Sequence, residues 1–160
     1  MVRKMSNLVL RKALEEEISQ IITMQTEVFC GEQGIPAELI DTFLLNQPTC
    51  WVAEQEGQIV GTIASWMESG EVHLGRFVVL PHLRGQKIGT KLLNHAICEL
   101  FSSGVEKIYM EARDSVAKMI RTIGGRDIGE PFVFYRGNVT PLVLERSSQC
   151  ILTMTGSVCT

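Results

Sequence analysis

The sequence has no excess of positive charge and no long apolar run, and each absence excludes a class of protein. Its 160 residues carry 15 Lys and Arg against 18 Asp and Glu, so the formal net charge is -3 at pH 7. Proteins that bind nucleic acid or a membrane surface through overall charge need a broad cationic field. We therefore expect neither partner. No apolar stretch is long enough to span a bilayer or to resemble a signal peptide.

The cysteines also lack a pattern. There are five, none in a CxxC pair or another ligand spacing, and an odd number gives no disulfide framework. We therefore expect free thiols and no bound metal. Because thiols stay reduced in the cytoplasm, we also expect a cytoplasmic location.

The length favours a single domain. A chain of this size buries roughly 70% of its unfolded surface, which is enough for one core without metals or crosslinks. We expect one domain over residues 1–146 and a tail over residues 147–160. The tail carries no charge, so we expect it to be either mobile or part of an interface, and a homodimer is one assembly that it would allow.

Hydrophobic periodicity and turn residues predict the order of the elements. This order places the chain in the α+β class, with a mixed, mainly antiparallel central sheet flanked by helices. The predicted elements are a strand at 7–10, a helix ended by Gly31 and Gly34, a shorter helix after Pro36, a three-stranded meander turning at Glu56-Gly57 and Ser69-Gly70, a helix from Ile88 to Gly104, a strand at 105–112, a helix at 115–123 capped by Asp114, and strands at 132–135 and 142–145.

The stretch LPHLRGQKIGTKLL, residues 80–93, joins a strand to the long helix. N–H groups in the first turn of a helix lack intrahelical partners and carry partial positive charge. A diphosphate across residues 85–90 would therefore accept several hydrogen bonds, and Arg84 could bind it with two parallel bonds. The alternative is an exposed turn with ordinary surface cations. The spacing matches neither a P-loop nor a dinucleotide motif.

The same stretch resembles the GNAT superfamily of acetyl-CoA-dependent N-acetyltransferases. The family pattern is a strand ending V-x-P and then Q/R-x-x-G-x-G/A at the start of a long helix, and this chain reads FVVLPHLRGQKIGTKLL. It departs from the pattern at Lys87, where the middle glycine is expected. A second stretch, VFCGEQGIPAELID at 28–41, resembles the ElaA-like branch. The resemblance covers about residues 7–146 and implies the GNAT acyl-CoA N-acyltransferase fold.

The resemblance implies a set of contacts with the cosubstrate acetyl-CoA. The strand before the loop would hold the pantetheine arm, with one of its N–H groups stabilising the oxyanion, and the loop would hold the diphosphate. The residues implied are Phe77, Val78, Val79, Arg84, Gly85, Gln86, Lys87, Ile88, Gly89 and Thr90.

It also implies an acyltransferase that moves the acetyl group by direct attack of a primary amine, on a small molecule or a protein. Glu111 and Glu32 are the candidate bases, and each has a structural alternative, a solvated strand-end charge for Glu111 and a capping residue or salt bridge for Glu32. Ile120 stands where the family has a tyrosine as general acid. The proton would then come from water, Ser115 or Tyr135, or else the chain is a degenerate domain that binds acetyl-CoA or CoA as a sensor or partner protein.

Acidic residues in these segments favour a cationic acceptor. They are Glu32, Glu38, Asp41 and Glu111.

Overall fold

The computed structural model describes residues 7–41 and 47–147, in which strands form a mixed sheet with helices on both faces. The strands are β1 (Leu8–Lys12), β2 (Thr49–Gln55), β3 (Gln58–Glu68), β4 (Glu71–Val79), β5 (Lys107–Ala112), β6 (Arg126–Asp127), β7 (Phe132–Val133) and β8 (Asn138–Glu145). The helices are α1 (Ile18–Gln33), α2 (Ala37–Asp41), α3 (Ile88–Ser102) and α4 (Asp114–Thr122).

The sheet has the order β1-β2-β3-β4-β5-β8-β6, and β7 pairs with β8 outside this path. Its strand pairs are antiparallel except for β4 and β5, which run parallel. That parallel pair requires a crossover, which α3 supplies. The architecture confirms the predicted class, a mainly antiparallel mixed sheet flanked by helices.

The two faces of the sheet bury separate cores. Side chains alternate along β2, so Trp51 and Ala53 join the core under α3 and α4, whereas Cys50 and Val52 join the core under α1. The apolar stripe of α3 makes the largest contribution of any element to the first core, where Phe101 is fully buried. Both layers therefore hold β4 in the middle of the sheet, with a helix against each face.

Both predicted hairpins are confirmed. The turn residues Glu56 and Gly57 have φ angles of 53° and 79°, and Ser69 and Gly70 have 52° and 78°. Left-handed conformations at both central positions match the right-handed twist of the flanking strands, as in a type I′ turn.

Some helix boundaries differ from the prediction. Gly31 lies inside α1, and Gly34, with a φ of 70°, ends the helix by donating its N–H to the carbonyl of Phe29. Only the second glycine terminates α1, because it alone adopts the left-handed conformation that closes a helix. Asp114 is the first residue of α4 rather than its cap, and the cap position is Arg113. The short strand β6 was not predicted.

The expectation of free thiols holds for some of the cysteines but not for all. Cys30 and Cys50 are free, whereas Cys98 is disulfide-bonded, so the expectation is wrong at Cys98. The predicted tail lies almost entirely outside the described residues, and its role stays a prediction. In the described ranges, no helix has both the length and the apolar character needed to cross a membrane.

Candidate active site

A gap in the sheet between β4 and β5 organises the site. The two strands pair only where Val72 faces Ile108 and His73 faces Tyr109. Beyond these pairs, β4 carries one extra residue against β3, since Thr62 pairs with Val78 but Ala64 pairs with Gly75. Such a bulge bends a strand and increases its twist. Two cavities adjoin the second half of β4, next to this bulge.

The larger cavity is a groove of about 530 Å³ between β4 and α3, which we call the α3 groove. Its walls come from the end of β4, the loop that follows, the first turns of α3 and α4, and the last turns of α1. The lining residues are Val28, Glu32, Gln33, Phe77, Val78, Val79, Leu83, Arg84, Gly85, Lys87, Ile88, Gly89, Thr90, Arg113, Ser115, Val116 and Met119.

Gly89 allows the start of α3 to lie directly against β4. A Cβ on Gly89 would lie 2.8 Å from Cζ of Phe77 and 3.3 Å from Cγ2 of Val79. The first distance is shorter than real Cβ contacts, so a side chain here would displace the Phe77 ring or the start of the helix. The absence of a side chain thus brings the first N–H groups of α3 beside the last residues of β4, where an anionic group could accept hydrogen bonds from them.

Lys87 occupies the cap position of α3 in a left-handed conformation, with a φ of 66°. Gly85 is also left-handed, with a φ of 85°. Glycine adopts this conformation readily, whereas in lysine it is unfavourable because the Cβ lies too close to the backbone. The departure from the family pattern at Lys87 therefore changes the residue but keeps the backbone that the glycine motif would form.

Arg84 spans the α3 groove to the end of α1. Its terminal nitrogens donate to both carboxylate oxygens of Glu32, at 3.1 and 2.9 Å, and its Nε donates to the carbonyl of Val79 at 3.1 Å. Both side chains are nearly half exposed. Glu32 lies in the last turn of α1 and lines this groove, not the second cavity. Each was predicted at the site separately, and the structure joins them as an ion pair.

The second cavity, of about 240 Å³, lies in the gap itself, and we call it the β4–β5 cavity. Apolar residues form most of its wall, among them Phe29, Ile63, Leu74, Met110 and Val139. The polar side chains on the wall are those of Gln33, Arg76, Glu111 and Arg113. Glu111 is exposed at the end of β5. Gln33, Phe77, Arg113 and Val116 line both cavities, so the cavities adjoin.

Arg113 lies where the two cavities meet and was not predicted. Its Nε and one terminal nitrogen donate to Oε1 of Gln33, at 3.1 and 2.8 Å, and the other terminal nitrogen donates to the carbonyl of Phe134 at 2.9 Å. The guanidinium also lies 5.6 Å from the centre of the Phe134 ring. Burial lowers the pKa of Arg113. Its position directly after β5 and close to Glu111 was the available signal.

Arg76 is the second half-buried cation on the wall of the β4–β5 cavity. It lies in the bulge with a φ of 52°, and it donates to the carbonyls of Ile40 and Leu39 at 3.0 and 2.9 Å. Burial lowers its pKa to about 10, which leaves it charged at neutral pH. These bonds tie α2 to the bulge, so Arg76 shapes the outer wall of the cavity.

The residue at the position of the family tyrosine is not on the wall of either cavity. Ile120 is fully buried in the core under α4 and lines neither cavity. The residues of α4 that line the groove are instead Ser115, Val116 and Met119, and Met119 lies one helical turn after the first two. Tyr135 is exposed and lines neither cavity. Ser115 is therefore the predicted alternative whose side chain reaches the groove wall.

No group of three or more His, Cys, Asp or Glu side chains suited to a metal ion occurs within residues 7–41 and 47–147.

Comparison with known proteins decides the family. The model of the acetyltransferase (GNAT) family matches residues 15–123, more than half of the chain. The chain belongs to the GNAT family of acetyltransferases. The match includes α1, the bulged β4, the loop and the whole of α3, which together form the α3 groove.

Two curated relatives are similar over part of their length. The uncharacterized N-acetyltransferase YitI of Bacillus subtilis is 34% identical over 65 residues, which cover 41% of this chain and 44% of that protein. The uncharacterized N-acetyltransferase MJ1530 of Methanocaldococcus jannaschii is 32% identical over 87 residues, 54% of each chain. The matches thus span about half the length of these relatives.

A solved structure shares the fold at lower identity. The crystal structure of Escherichia coli ElaA superposes with a TM-score of 0.75 over 88% of this chain and 100% of that chain, at 17% identity. Likeness at this identity supports the GNAT fold and does not place the chain in the ElaA-like branch.

The structure brings most of the predicted cofactor-binding residues together. Nine of the ten line the α3 groove, and the exception is Gln86, which is exposed and not part of the wall. Gly89 also lets the first turn of α3 pack against β4, which places this turn on the wall of the groove. The residues therefore fit acetyl-CoA, and their contacts with it stay a prediction.

Proposed function

We propose that this chain is an acetyl-CoA-dependent N-acetyltransferase that moves the acetyl group to a primary amine by direct attack. The observation that supports this is the junction of the two cavities at the gap between β4 and β5. Direct transfer between two substrates requires adjoining sites, since the amine must reach the thioester without a covalent enzyme intermediate.

The α3 groove would hold acetyl-CoA. Its diphosphate would accept hydrogen bonds from main-chain N–H groups of residues 85–90, and Arg84, Lys87 and Lys91 would add positive charge in a chain that is acidic overall. The pantetheine arm would run along Phe77, Val78 and Val79. One N–H of this segment would stabilise the negative charge that develops on the thioester oxygen.

The β4–β5 cavity would hold the amine, and Glu111 would accept its proton. The neutral nitrogen attacks the carbonyl carbon, the C–N bond forms and the C–S bond breaks. Coenzyme A leaves as the thiolate, and the nitrogen releases its second proton to solvent as it becomes an amide. Glu111 suits the role of base because it lines the amine side of the junction. Glu32 suits it less, because its carboxylate is held by Arg84 in the other cavity.

The thiolate must gain a proton at the end of the reaction. Ser115 lines the α3 groove beside Val116, a residue common to both cavities. A hydroxyl at this place could relay a proton from water to the sulfur. This role replaces that of the tyrosine, because Ile120 has no proton to give and lies in the core.

The buried Ile120 also supports a second candidate, a degenerate GNAT domain that binds acetyl-CoA or CoA and transfers nothing. Both candidates predict that acetyl-CoA raises the melting temperature, because a ligand that binds only the folded state stabilises it. They differ in turnover. Release of free coenzyme A thiol across a panel of small amines and peptides, above the rate of buffer hydrolysis, would establish the enzyme.

Thiol release no faster than buffer hydrolysis, together with a clear shift in melting temperature, would instead establish the binder. A melting temperature that millimolar acetyl-CoA does not change would contradict both candidates.

Three narrower predictions accompany this function. The segment EQGIP at 32–36 supports membership of the ElaA-like branch. The cytoplasmic location and a homodimer stay predictions, to be checked by cell fractionation and by light scattering of the purified protein.

A further inference from the structure

The wall of the β4–β5 cavity carries a positive charge that the protein leaves uncompensated. Arg113 is half-buried, and the groups that hold it are the neutral amide of Gln33 and the carbonyl of Phe134. No carboxylate of the described residues forms an ion pair with it. A half-buried cation is normally paired with an anion, because removing charge from water is costly.

The guanidinium also keeps hydrogen-bonding capacity towards the cavities. Its three bonds to Gln33 and Phe134 fix its position, and a guanidinium has more N–H donors than these bonds use. Because Arg113 lines both cavities, it borders the place where the amine and the thioester would meet. An anionic group on the acceptor, close to its amine, would find its partner there.

Glu111 supplies the complementary charge. It precedes Arg113 by two residues and lines the same cavity. In the described part of the chain the two side chains do not form an ion pair with each other or with another charged residue. A carboxylate and a guanidinium held apart on one wall match a molecule that carries both an ammonium and a carboxylate.

The size and polarity of the cavity restrict this molecule further. At about 240 Å³ the cavity is smaller than the roughly 300–1,000 Å³ of most pockets for drug-sized ligands. The rest of its wall is mainly apolar, with Phe29, Ile63 and Leu74 among the residues.

We propose that the acceptor is a small amino acid with an apolar side chain, whose carboxylate binds Arg113 while its amine faces Glu111. This inference rests on the proposed acetyltransferase function and names its acceptor. It also differs from the cationic acceptor that the acidic residues of the sequence favour, because the acceptor's carboxylate then pairs with Arg113 while its amine faces Glu111.

The test compares leucine, methionine and phenylalanine with the amino alcohol of each, in which CH₂OH replaces the carboxylate and the amine stays similarly basic. The measured quantity is the ratio of kcat/KM for acid over alcohol, in which the contribution of acetyl-CoA cancels. Charge-assisted bonds to a guanidinium should favour the acid by about tenfold or more in at least one pair.

The decisive variant is Gln33→Glu, which is isosteric and places a carboxylate on the guanidinium at 2.8–3.1 Å. This internal anion should compete with the carboxylate of the acceptor and lower the ratio about tenfold or more. The matched control is Arg121→Gln, which removes a guanidinium of α4 that pairs with Asp127 outside both cavities and should leave the ratio unchanged.

A binding measurement separates this inference from the proposed function. Calorimetry of the CoA-loaded protein with the same three amino acids does not require turnover. Binding that Gln33→Glu abolishes would support the anion site even if no acetyl transfer occurs. Three outcomes would overturn the inference but not the acetyltransferase function. They are equal turnover of acid and alcohol, a ratio that Gln33→Glu does not change, and a preference for peptide amino termini. Absence of both turnover and amino acid binding would overturn both.

Discussion

The α3 groove and the β4–β5 cavity differ in the groups that they offer to a ligand, main-chain groups in the first and side chains in the second. Ten of the seventeen residues that line the groove come from one continuous segment, Phe77 to Thr90, which contains two glycines and the first main-chain N–H groups of α3. The cavity depends on side chains from α1, α2, β4, β5 and α4, brought together by a bulge. A ligand that binds the backbone can be inferred from a local motif, whereas a ligand that binds dispersed side chains depends on the tertiary structure. Variants of the two regions should therefore fail in different ways.

The largest effect should come from Glu111→Gln in the β4–β5 cavity. Loss of a general base lowers kcat by about 10²–10⁴-fold, while the affinity for acetyl-CoA should stay within about twofold because Glu111 does not line the α3 groove. Steady-state kinetics and calorimetry measure the two quantities. Glu130→Gln, an exposed glutamate outside both cavities, is the control, and equal kcat in both variants would refute the assigned base.

Gly89→Leu should damage the α3 groove with the opposite signature. The new Cβ would lie 2.8 Å from Cζ of Phe77, so the Phe77 ring or the start of α3 must move. Both line the groove, and the affinity for acetyl-CoA should fall by about 100-fold, or roughly 2.8 kcal/mol. Gly31→Leu is the matched control, since Gly31 is also helical but has no atom within 4 Å of its Cβ position. Calorimetry with acetyl-CoA compares the two. Similar affinities would mean that the close approach is not needed for binding.

Glu32→Gln should have a small effect that distinguishes a structural partner from a base. The exposed pair with Arg84 contributes about 0.2–1 kcal/mol, so its loss frees the guanidinium for phosphate and lowers KM for acetyl-CoA by at most about fivefold. We expect kcat to stay unchanged. A fall in kcat as large as that of Glu111→Gln would instead assign the base to Glu32.

Lys87→Gly should have the smallest effect and should act on stability. The left-handed conformation of lysine costs roughly 1–2 kcal/mol, and glycine removes this cost. Glycine also loses more chain entropy on folding, which costs about 0.5–1 kcal/mol. The net gain is on the order of 0.5 kcal/mol, or about 1–2 °C in melting temperature. Lys91→Gly, in the body of α3, should lose about 1 kcal/mol. Thermal unfolding of both variants checks the sign, and destabilisation by Lys87→Gly would show that its side chain stabilises the cap.

The sequence predicted most of the fold because the deciding signals are local. The glycines at 57 and 70 set both hairpins, and the apolar stripe from Ile88 set α3. Gly31 misled the prediction because a glycine within a helix and a glycine that ends one look alike until the φ angle is known. β6 has only two residues, too few for any periodicity.

The sequence predicted more of the α3 groove than of the β4–β5 cavity, where Glu111 was the predicted catalytic residue. Six of the nine predicted residues that line the α3 groove belong to the loop and the helix start, whose glycines and cations form a local motif; Phe77, Val78 and Val79 were implied by the family resemblance. Arg113 and Gln33 are 80 positions apart, and no local pattern predicts that they are in contact. The pair of Arg84 and Glu32 is 52 positions apart and was equally invisible as a pair. Long-range contacts between single side chains need the topology of the sheet.

A structure of the protein with bound coenzyme A would test the central claim most directly. The account predicts the diphosphate at the start of α3, within hydrogen-bond distance of main-chain nitrogens of residues 85–90, and the sulfur beside Phe77–Val79 at the opening into the β4–β5 cavity. Coenzyme A bound elsewhere, or a sulfur that points away from the gap between β4 and β5, would contradict it.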